Sequence, residues 1–219
     1  MTTLAIFCDG ACRGNGRAGA KGGWAWAAWR AGAVEGSPVA TGSARLLLGP
    51  AGEVATNQRA ELMALLEALR WLAATKNNGT IYTDSQYAIN CTSKWGAGWR
   101  RKGWKRDSGE PLQNLDLIQP LVALWRPAWA LVHVAGHQTG NSWQAYGNNW
   151  VDKAAVVAAE DTGVTVRPAV VVAEVIEHVA EPSSVVDWYV ADKKPVLEPA
   201  VRRSVGKQTD IRLWFSSTK

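Results

Sequence analysis

Four carboxylate side chains occupy positions from which they could act together. Asp9 and Asp84 each follow a short apolar run, Glu61 precedes a leucine-rich stretch, and Asp152 lies close to an alanine-rich one. An ionised carboxylate in an apolar setting is unfavourable unless a cation or hydrogen-bond donors meet it. Four acids at one point would repel one another unless divalent cations joined them. Oxygen ligands of this kind favour Mg²⁺ or Mn²⁺, and two such ions could hold the attacking and leaving oxygens of a phosphodiester.

Each acid also has an ordinary structural interpretation when it is taken alone. Asp9 precedes Gly10 and could cap the turn that a glycine-rich stretch forms. Asp84 precedes a stretch typical of a helix and could cap that helix. The metal-site hypothesis therefore depends on whether the four acids reach the same point.

A basic and aromatic segment covers residues 94–106, with the sequence KWGAGWRRKGWKR. It contains six cations, three tryptophans and no acid. Cations placed among flat aromatic surfaces suit a polyanion with stackable bases or sugar faces, so the segment predicts nucleic-acid binding. The alternative is a solvated basic face whose tryptophans belong to the core.

Two histidines lie near one another in the sequence, in different surroundings. His133 falls inside an apolar run and is expected to be a satisfied core or edge histidine. His137 lies in a glycine-flanked loop, where it is free to move. A lone loop histidine is usually a surface residue, so any role of His137 depends on its neighbours.

The hydrophobic periodicity predicts the elements that must position these side chains. Strands are predicted at residues 4–8, 22–30, 38–48, 80–83 and 130–134, the last of them buried. Short connections favour an antiparallel arrangement of the first three. Helices are predicted from an N-cap at Thr56 or Asn57 to residue 75, and at residues 85–91, 112–125 and 148–160, the last of them after a polar loop at 141–147.

These elements would bring the acids to one side of a sheet. Thr56 or Asn57 is the predicted N-cap of the first helix, so Glu61 lies in its first turns. Asp152 is predicted near the start of the last helix, and the two remaining acids lie at strand ends. Strand ends and helix starts can converge on one edge of an α/β sheet, where ligands bind.

The composition indicates a globular protein with an anionic partner. The chain has 219 residues, 47% of them hydrophobic, and a formal charge of +5. Residues 161–219 carry eight basic and eight acidic side chains, so the whole positive excess lies in residues 1–160. The three cysteines form no Cys-x-x-Cys pair, which argues against a disulfide scaffold or a zinc site. With no signal-peptide pattern and no membrane-spanning apolar run, we expect a cytoplasmic protein, or a nuclear one in a eukaryote, that is not secreted.

Six motifs, in order, resemble the type 1 ribonuclease H family over residues from about 4 to 160. They are CDGACRGNG, TNQRAELMALLEAL, YTDSQYAI, KWGAGWRRKGWKR followed by PLQNLDL, VAGHQTG and GNNWVDKAA. The resemblance implies an α/β fold with a five-stranded mixed sheet, three antiparallel strands and then two parallel ones, flanked by helices. It also implies an endonuclease that cuts the RNA strand of RNA/DNA hybrids and leaves 5′-phosphate and 3′-hydroxyl ends.

The resemblance assigns roles to individual residues. The family's metal-binding acids match four residues, Asp9, Glu61, Asp84 and Asp152. Asp9 would bridge two Mg²⁺ ions, for which Mn²⁺ could substitute. His137 matches the family's mobile histidine, which is assigned to proton transfer or product release. The loop that follows it, residues 138–147, is longer than the family's usual loop, which affects the geometry expected for this histidine.

Substrate contacts are implied in the same way. The family positions that contact the backbone and bases of the hybrid correspond to Asn15, Asn57, Gln58 and Gln86. Glu61 also matches the residue that senses the 2′-hydroxyl. Thr56 and Asn114 match positions that hold a phosphate of the DNA strand. The basic protrusion found in some members matches Trp95, Trp99, Arg100, Arg101, Lys102 and Lys105. Its presence implies that the domain grips a hybrid without a separate binding module.

Residues 1–160 are therefore expected to form the catalytic domain, and the remainder a C-terminal extension. Residues 161–206 are rich in valine and broken by four prolines, which is typical of a linker or an added segment. Residues 207–219 resemble the peptide by which replication proteins bind sliding clamps of the archaeal and eukaryotic type, through Gln208, Ile211, Trp214 and Phe215. In one helical turn the three apolar side chains would form a single plug. The alternative is a strand that covers the domain.

Two other functions stay open. A catalytically silent hybrid-binding module would need none of the acids, so the presence of all four disfavours it. Another nuclease or a transposase built on the same fold would instead cleave a DNA duplex.

Overall fold

The computed structural model describes residues 3–137 and 139–160. Its strands form one sheet of order β3-β2-β1-β4-β5. They are β1 (Thr3–Arg13), β2 (Lys21–Arg30), β3 (Ala40–Leu46), β4 (Asn78–Thr83) and β5 (Ala130–His133). The helices are α1 (Asn57–Thr75), α2 (Gln86–Ile89), α3 (Gly96–Arg101), α4 (Leu115–Leu124) and α5 (Trp143–Glu160), and a π-helical segment, Asn90–Trp95, joins α2 to α3.

The sheet is mixed. β1 pairs antiparallel with β2, which pairs antiparallel with β3. On its other side β1 pairs parallel with β4, which pairs parallel with β5. This topology confirms the predicted fold class of three antiparallel strands followed by two parallel ones.

Helix α1 covers one face of the sheet with the leucine stripe that the sequence predicts. Its buried apolar side chains include Leu62, Leu65, Leu66, Leu69 and Leu72, and full burial of each contributes about 1.5–3 kcal/mol. The helix begins as predicted after Thr56, whose Oγ1 accepts a hydrogen bond from the backbone N–H of Arg59 at 3.1 Å.

Helix α5 covers the opposite face and approaches the sheet closely. Phe7 and Trp29 meet edge to face with ring centroids 5.8 Å apart, and Trp150 of α5 packs edge-on against Trp29. A Cβ at Gly23 would overlap the α5 backbone near Ala155, so only glycine permits this approach. The two faces thus bury separate apolar clusters.

The beginning of α5 differs from the prediction. The helix starts at Trp143, so the predicted polar loop at 141–147 is wrong after Ser142, and Asp152 lies in the middle of the helix rather than near its start. The Ser142 Oγ accepts a hydrogen bond from a backbone N–H of the first turn at 3.1 Å, and Trp143 packs against the Phe7 ring. The cap and the contact between the two rings therefore start the helix earlier than its alanine-rich pattern indicates.

Strand β5 also differs from its prediction. The predicted buried strand at 130–134 lies at the edge of the sheet, and Ala130, Val132 and His133 are exposed. The exposure is explained by its position, since among the described strands only β4 lies beside it. The His133 Nε2 lies 3.0 Å from the carbonyl oxygen of Asp84, which confirms a satisfied edge histidine.

Two further differences concern the chain near Asp9 and Asp84. β1 does not end at the glycines but continues to Arg13. Helix α2 is capped by Ser85 rather than by Asp84, because the Ser85 Oγ accepts a hydrogen bond from the Ala88 N–H at 3.1 Å. The alternative of Asp84 as a helix cap is therefore wrong, and its carboxylate is left for another role.

Within the described part of the chain, no helix combines the length and apolar character that crossing a membrane requires. The predicted linker at 161–206 and the clamp-binding residues Gln208, Ile211, Trp214 and Phe215 lie outside the described residues.

Candidate active site

The parallel pairing of β1 and β4 brings two of the predicted acids close together at the carboxyl-terminal end of that pairing, which we call the acidic edge. Phe7 pairs with Tyr82, and Asp9 and Asp84 follow two residues later on neighbouring chain segments. Asp9 is buried, with 6% of its surface exposed, although it carries an ionisable group. Such a carboxylate requires a compensating partner.

Glycine brings the third acid close. A Cβ at Gly10 would overlap the backbone at the peptide bond between Ala60 and Glu61. Because glycine has no Cβ, the backbones of β1 and the first turns of α1 can approach each other here. Any other residue at this position would push the strand and the helix apart. The place of Glu61 beside Asp9 therefore depends on Gly10.

The charges of the other three acids all act on the pKa of Asp9. Burial, together with the charges of Asp84, Asp152 and Glu61, raises the pKa of Asp9 to about 8, against the opposing effect of the hydrogen bond from the Gly10 N–H. Burial also raises the pKa of Glu61; a hydrogen bond from Ser85 lowers it, and the charge of Asp84 raises it. The structure therefore brings together the four acids that the sequence singles out.

The acids share the edge without forming a closed set of ligands. Within residues 3–137 and 139–160, no group of three or more His, Cys, Asp or Glu side chains is arranged to hold a metal ion. The donor chemistry nevertheless fits a hard divalent cation, because carboxylate oxygens are its preferred ligands. A cation would also offset the burial and repulsion that raise the pKa of Asp9.

The loop after β5 passes over this edge and carries His137. A Cβ at Gly136 would overlap the Asp84 carboxylate, so the loop crosses Asp84 at backbone distance. His137 is exposed, has a left-handed φ of 47°, and places Nδ1 3.8 Å from an Oδ2 of Asp152. At this distance the pair is an electrostatic contact rather than a hydrogen bond.

Predicted substrate residues line the start of α1. The Asn15 Oδ1 accepts a hydrogen bond from the Asn57 N–H at 3.0 Å, so the Asn15 side chain is bound to the first residue of α1. The side chains of Asn57 and Gln58 are exposed. Gln86 donates to the Asn90 side chain at 3.1 Å and is also exposed.

Asn114 is held beside α1 by a buried arginine. Arg59 is 3% exposed and pairs with both carboxylate oxygens of Asp116, at 2.9 and 2.5 Å. Its Nη1 also lies 3.3 Å from the Asn114 Oδ1, and the Asn114 backbone adopts a left-handed φ of 59°. Arg59 thus ties together α1, which starts at the Thr56 cap, and the start of α4.

The basic segment is local and mostly exposed. Trp95 is 42% exposed and its ring lies 5.5 Å from that of Trp99. Trp99 and Trp104 are half-buried and pack against the core, so the alternative of core tryptophans holds in part. The predicted substrate cations are all exposed, namely Arg100, Arg101, Lys102 and Lys105. Lys102 forms an ion pair with Asp107.

Three features of this region escape sequence reasoning. Ser85 donates a hydrogen bond to the Glu61 Oε2 at 2.5 Å, Arg59 pairs with Asp116, and Gly136 admits the loop over Asp84. The capping role of Ser85 could have been found from its position before a helix. The other contacts join residues distant in sequence, for which one sequence carries no signal.

Comparison with known proteins places this site in a family. The RNase H family model matches residues 1–160. Ribonuclease H of Cupriavidus metallidurans is 41% identical over 138 residues, which cover 63% of this chain and 85% of the relative. The crystal structure of LC9-RNase H1, a type 1 RNase H with the type 2 active-site motif, is 28% identical, with a TM-score of 0.55 and coverage of 73% of this chain and 72% of that one.

A more distant solved structure shares the fold alone. The foamy viral protease-reverse transcriptase in complex with RNA/DNA hybrid is 19% identical and has a TM-score of 0.59, over 73% of this chain and 20% of that one. The family match over most of the chain, the sheet topology and the shared acidic edge lead to one conclusion: this chain belongs to the RNase H family.

Proposed function

We propose that this protein is a type 1 ribonuclease H, an endonuclease that hydrolyses the RNA strand of RNA/DNA hybrids and leaves 5′-phosphate and 3′-hydroxyl ends. Family membership supports a ribonuclease, and a protein of the same fold was solved with a hybrid bound. The observation that carries the proposal is the convergence of Asp9, Glu61, Asp84 and Asp152, from four separate elements, on one sheet edge.

The four acids would hold two Mg²⁺ ions, with Mn²⁺ as a possible substitute. When bound, such a pair of ions activates the attacking water and stabilises the leaving oxygen of a phosphodiester. The protein contributes the geometry, because Gly10 lets Glu61 approach Asp9 and the β1–β4 pairing places Asp84 beside them.

His137 would move a proton at the reacting phosphate or assist product release. Its ring is exposed and lies above the acidic edge, with Nδ1 3.8 Å from Asp152. A ring in this position can reach both solvent and the site, which is what a proton shuttle requires.

The hybrid would lie across the start of α1 and the basic segment. Asn15, Asn57, Gln58 and Gln86 would contact its backbone and bases, while Thr56 and Asn114 would hold a DNA phosphate. Phosphate binding by exposed cations adds affinity that depends on salt. The exposed cations of the basic protrusion are Arg100, Arg101, Lys102 and Lys105, and Trp95 and Trp99 would provide stacking surfaces beside them.

One cleavage assay tests this function. Labelled RNA/DNA hybrid, single-stranded RNA, duplex RNA and duplex DNA are each incubated with the full chain, in Mg²⁺ or in chelator. Metal-dependent cleavage of the hybrid's RNA strand alone is expected. Cleavage of duplex DNA would instead select another nuclease of this fold, and binding of the hybrid without cleavage would select a binding module.

We also propose recruitment to a replication sliding clamp, in the cytoplasm or the nucleus of the source cell. The proposal rests on the spacing of Gln208, Ile211, Trp214 and Phe215 near the end of the chain. Deletion of residues 208–219 is expected to abolish binding to the cognate clamp and to leave hybrid cleavage intact. Unchanged clamp binding after the deletion would remove this proposal.

A further inference from the structure

We infer that the hydroxyl of Ser85 orients the carboxylate of Glu61 and so makes Ser85 a positioning residue of the acidic edge. The catalytic consequence rests on the proposed function, whereas the hydrogen bond itself does not. Ser85 directly follows Asp84, so a single turn of chain would place one acid and orient another.

Ser85 uses both its hydroxyl and its backbone N–H in hydrogen bonds. The residue is buried, with 4% of its surface exposed. Its Oγ lies 2.5 Å from the Glu61 Oε2 and accepts a hydrogen bond from the Ala88 N–H at 3.1 Å. Its own N–H donates to the Thr83 Oγ1 at 3.2 Å.

These partners determine where the hydroxyl proton points. A serine hydroxyl has one proton to donate, and an ionised carboxylate can only accept. Because the Ala88 N–H already donates to Oγ, the proton of Ser85 is directed to Glu61. The start of α2 and the carboxylate on α1 are therefore coupled through one oxygen atom.

This double role limits the residue types that would serve at position 85. Asp and Gly are acceptable N-caps, but an ionised aspartate has no proton to donate and glycine has no side chain. Threonine keeps both functions. Ser142, before α5, offers a matched comparison, since its Oγ accepts an N–H from Ala145 at the same 3.1 Å and the residue is exposed.

The hydrogen bond leaves one oxygen of Glu61 for other partners. Oε2 is held by Ser85, so the Oε1 of this carboxylate points in a defined direction from α1. Without the hydroxyl the carboxylate could rotate. Loss of a group that orients a metal ligand typically lowers metal affinity or activity about 10- to 100-fold.

Carbon NMR of the metal-free full chain tests the orientation directly. The carboxyl resonance of Glu61, assigned by its loss in Glu61→Gln, is compared in the wild type, Ser85→Gly, Ser85→Thr and Ser142→Gly. We expect Ser85→Gly to shift this resonance and the other two variants to leave it near the wild-type position. An unshifted resonance in Ser85→Gly overturns the inference.

Mn²⁺ binding, followed by the electron paramagnetic resonance of the free ion, tests the consequence without any turnover. Ser85→Gly is expected to bind Mn²⁺ about tenfold more weakly, with Ser85→Thr restoring and Ser142→Gly preserving the affinity. In the Glu61→Gln background, Ser85→Gly should cause no further loss. A role through Glu61 is contradicted if Ser85→Gly binds Mn²⁺ with wild-type affinity. It is also contradicted if Ser85→Gly lowers the Mn²⁺ affinity of the Glu61→Gln variant as much as it lowers that of the wild type.

Hybrid cleavage separates this inference from the proposed function. For Ser85→Gly we expect kcat to fall about tenfold while KM for the hybrid stays within about twofold. If the wild type leaves hybrids intact in Mg²⁺, the proposed function fails while the carboxyl resonance still tests the hydrogen bond. If the wild type cleaves and Ser85→Gly matches it in rate, only the positioning role fails.

Discussion

The acidic edge and the basic segment carry charge in opposite ways. The acids come from β1, α1, the end of β4 and α5, and Asp9 is only 6% exposed. The cations lie within residues 94–106, and the four predicted to bind substrate are exposed side chains. The first site exists only in the folded chain, whereas the second is a local property of one short segment.

This difference decides how each region responds to change. Charges in a poorly solvated environment interact strongly, whereas exposed charges are weakened by water and screened by salt. Changes at the acidic edge should therefore have large effects, and changes in the basic segment small ones that depend on salt.

The largest effect is expected from Asp9→Asn. The substitution keeps the shape of the side chain but removes a charge proposed to help hold the metal ions, so hybrid cleavage should fall by about 10³-fold or more. Hybrid affinity, measured in chelator, should stay within a few-fold. Because burial and neighbouring acids raise the pKa of Asp9, the variant should unfold no more easily than the wild type. Cleavage at near wild-type rate would contradict the proposed function.

Breaking a buried ion pair should lower the free energy of unfolding more than breaking an exposed one. Arg59 is 3% exposed, and Arg59→Met leaves the Asp116 carboxylate without its partner, which should lower the free energy of unfolding by about 3 kcal/mol. The matched variant is Lys102→Met, which breaks the exposed pair with Asp107 and should change it by less than about 1 kcal/mol. Urea denaturation measures both, and equal effects would remove the contrast.

Gly136→Ala tests the loop that crosses Asp84. The added methyl group would overlap the Asp84 carboxylate, and we expect kcat to fall about tenfold through displacement of this acid. Gly140→Ala is the control in the same loop, because a Cβ there lies within 4 Å of no atom of the described residues beyond its chain neighbours. Steady-state kinetics on a hybrid distinguish the two, and a matching loss in the control would indicate a general effect on the loop.

The smallest effect is expected in the basic segment. Arg100→Gln should raise KM for the hybrid about threefold, leave kcat unchanged, and reduce the slope of log affinity against log salt by about one. Arg45→Gln removes an equal charge from an exposed side chain of β3 and should leave that slope unchanged. Equal slopes for the two variants would show that the salt dependence of hybrid affinity reflects net charge rather than a local contact with the basic segment.

Much of the fold could be predicted from the sequence because its signals are local. The leucine stripe of α1, the cap at Thr56 and the strand predicted at residues 22–30 each depend on neighbouring residues, and the structure confirms them. The prediction failed where tertiary contacts decided the outcome. Trp143 starts α5 early by packing on Phe7, and β5 is exposed because it lies at the sheet edge.

The sequence by itself determined which residue types could act: four acids, a basic aromatic segment and a loop histidine. Only the tertiary structure decided that Asp9 is buried among the other acids, that Gly10 admits Glu61 beside it, and that Ser85 holds the Glu61 carboxylate. The physical reason is distance. Periodicity and capping act over a few residues, whereas charge repulsion, close backbone approach and side-chain hydrogen bonds act between residues that meet only when the sheet has formed.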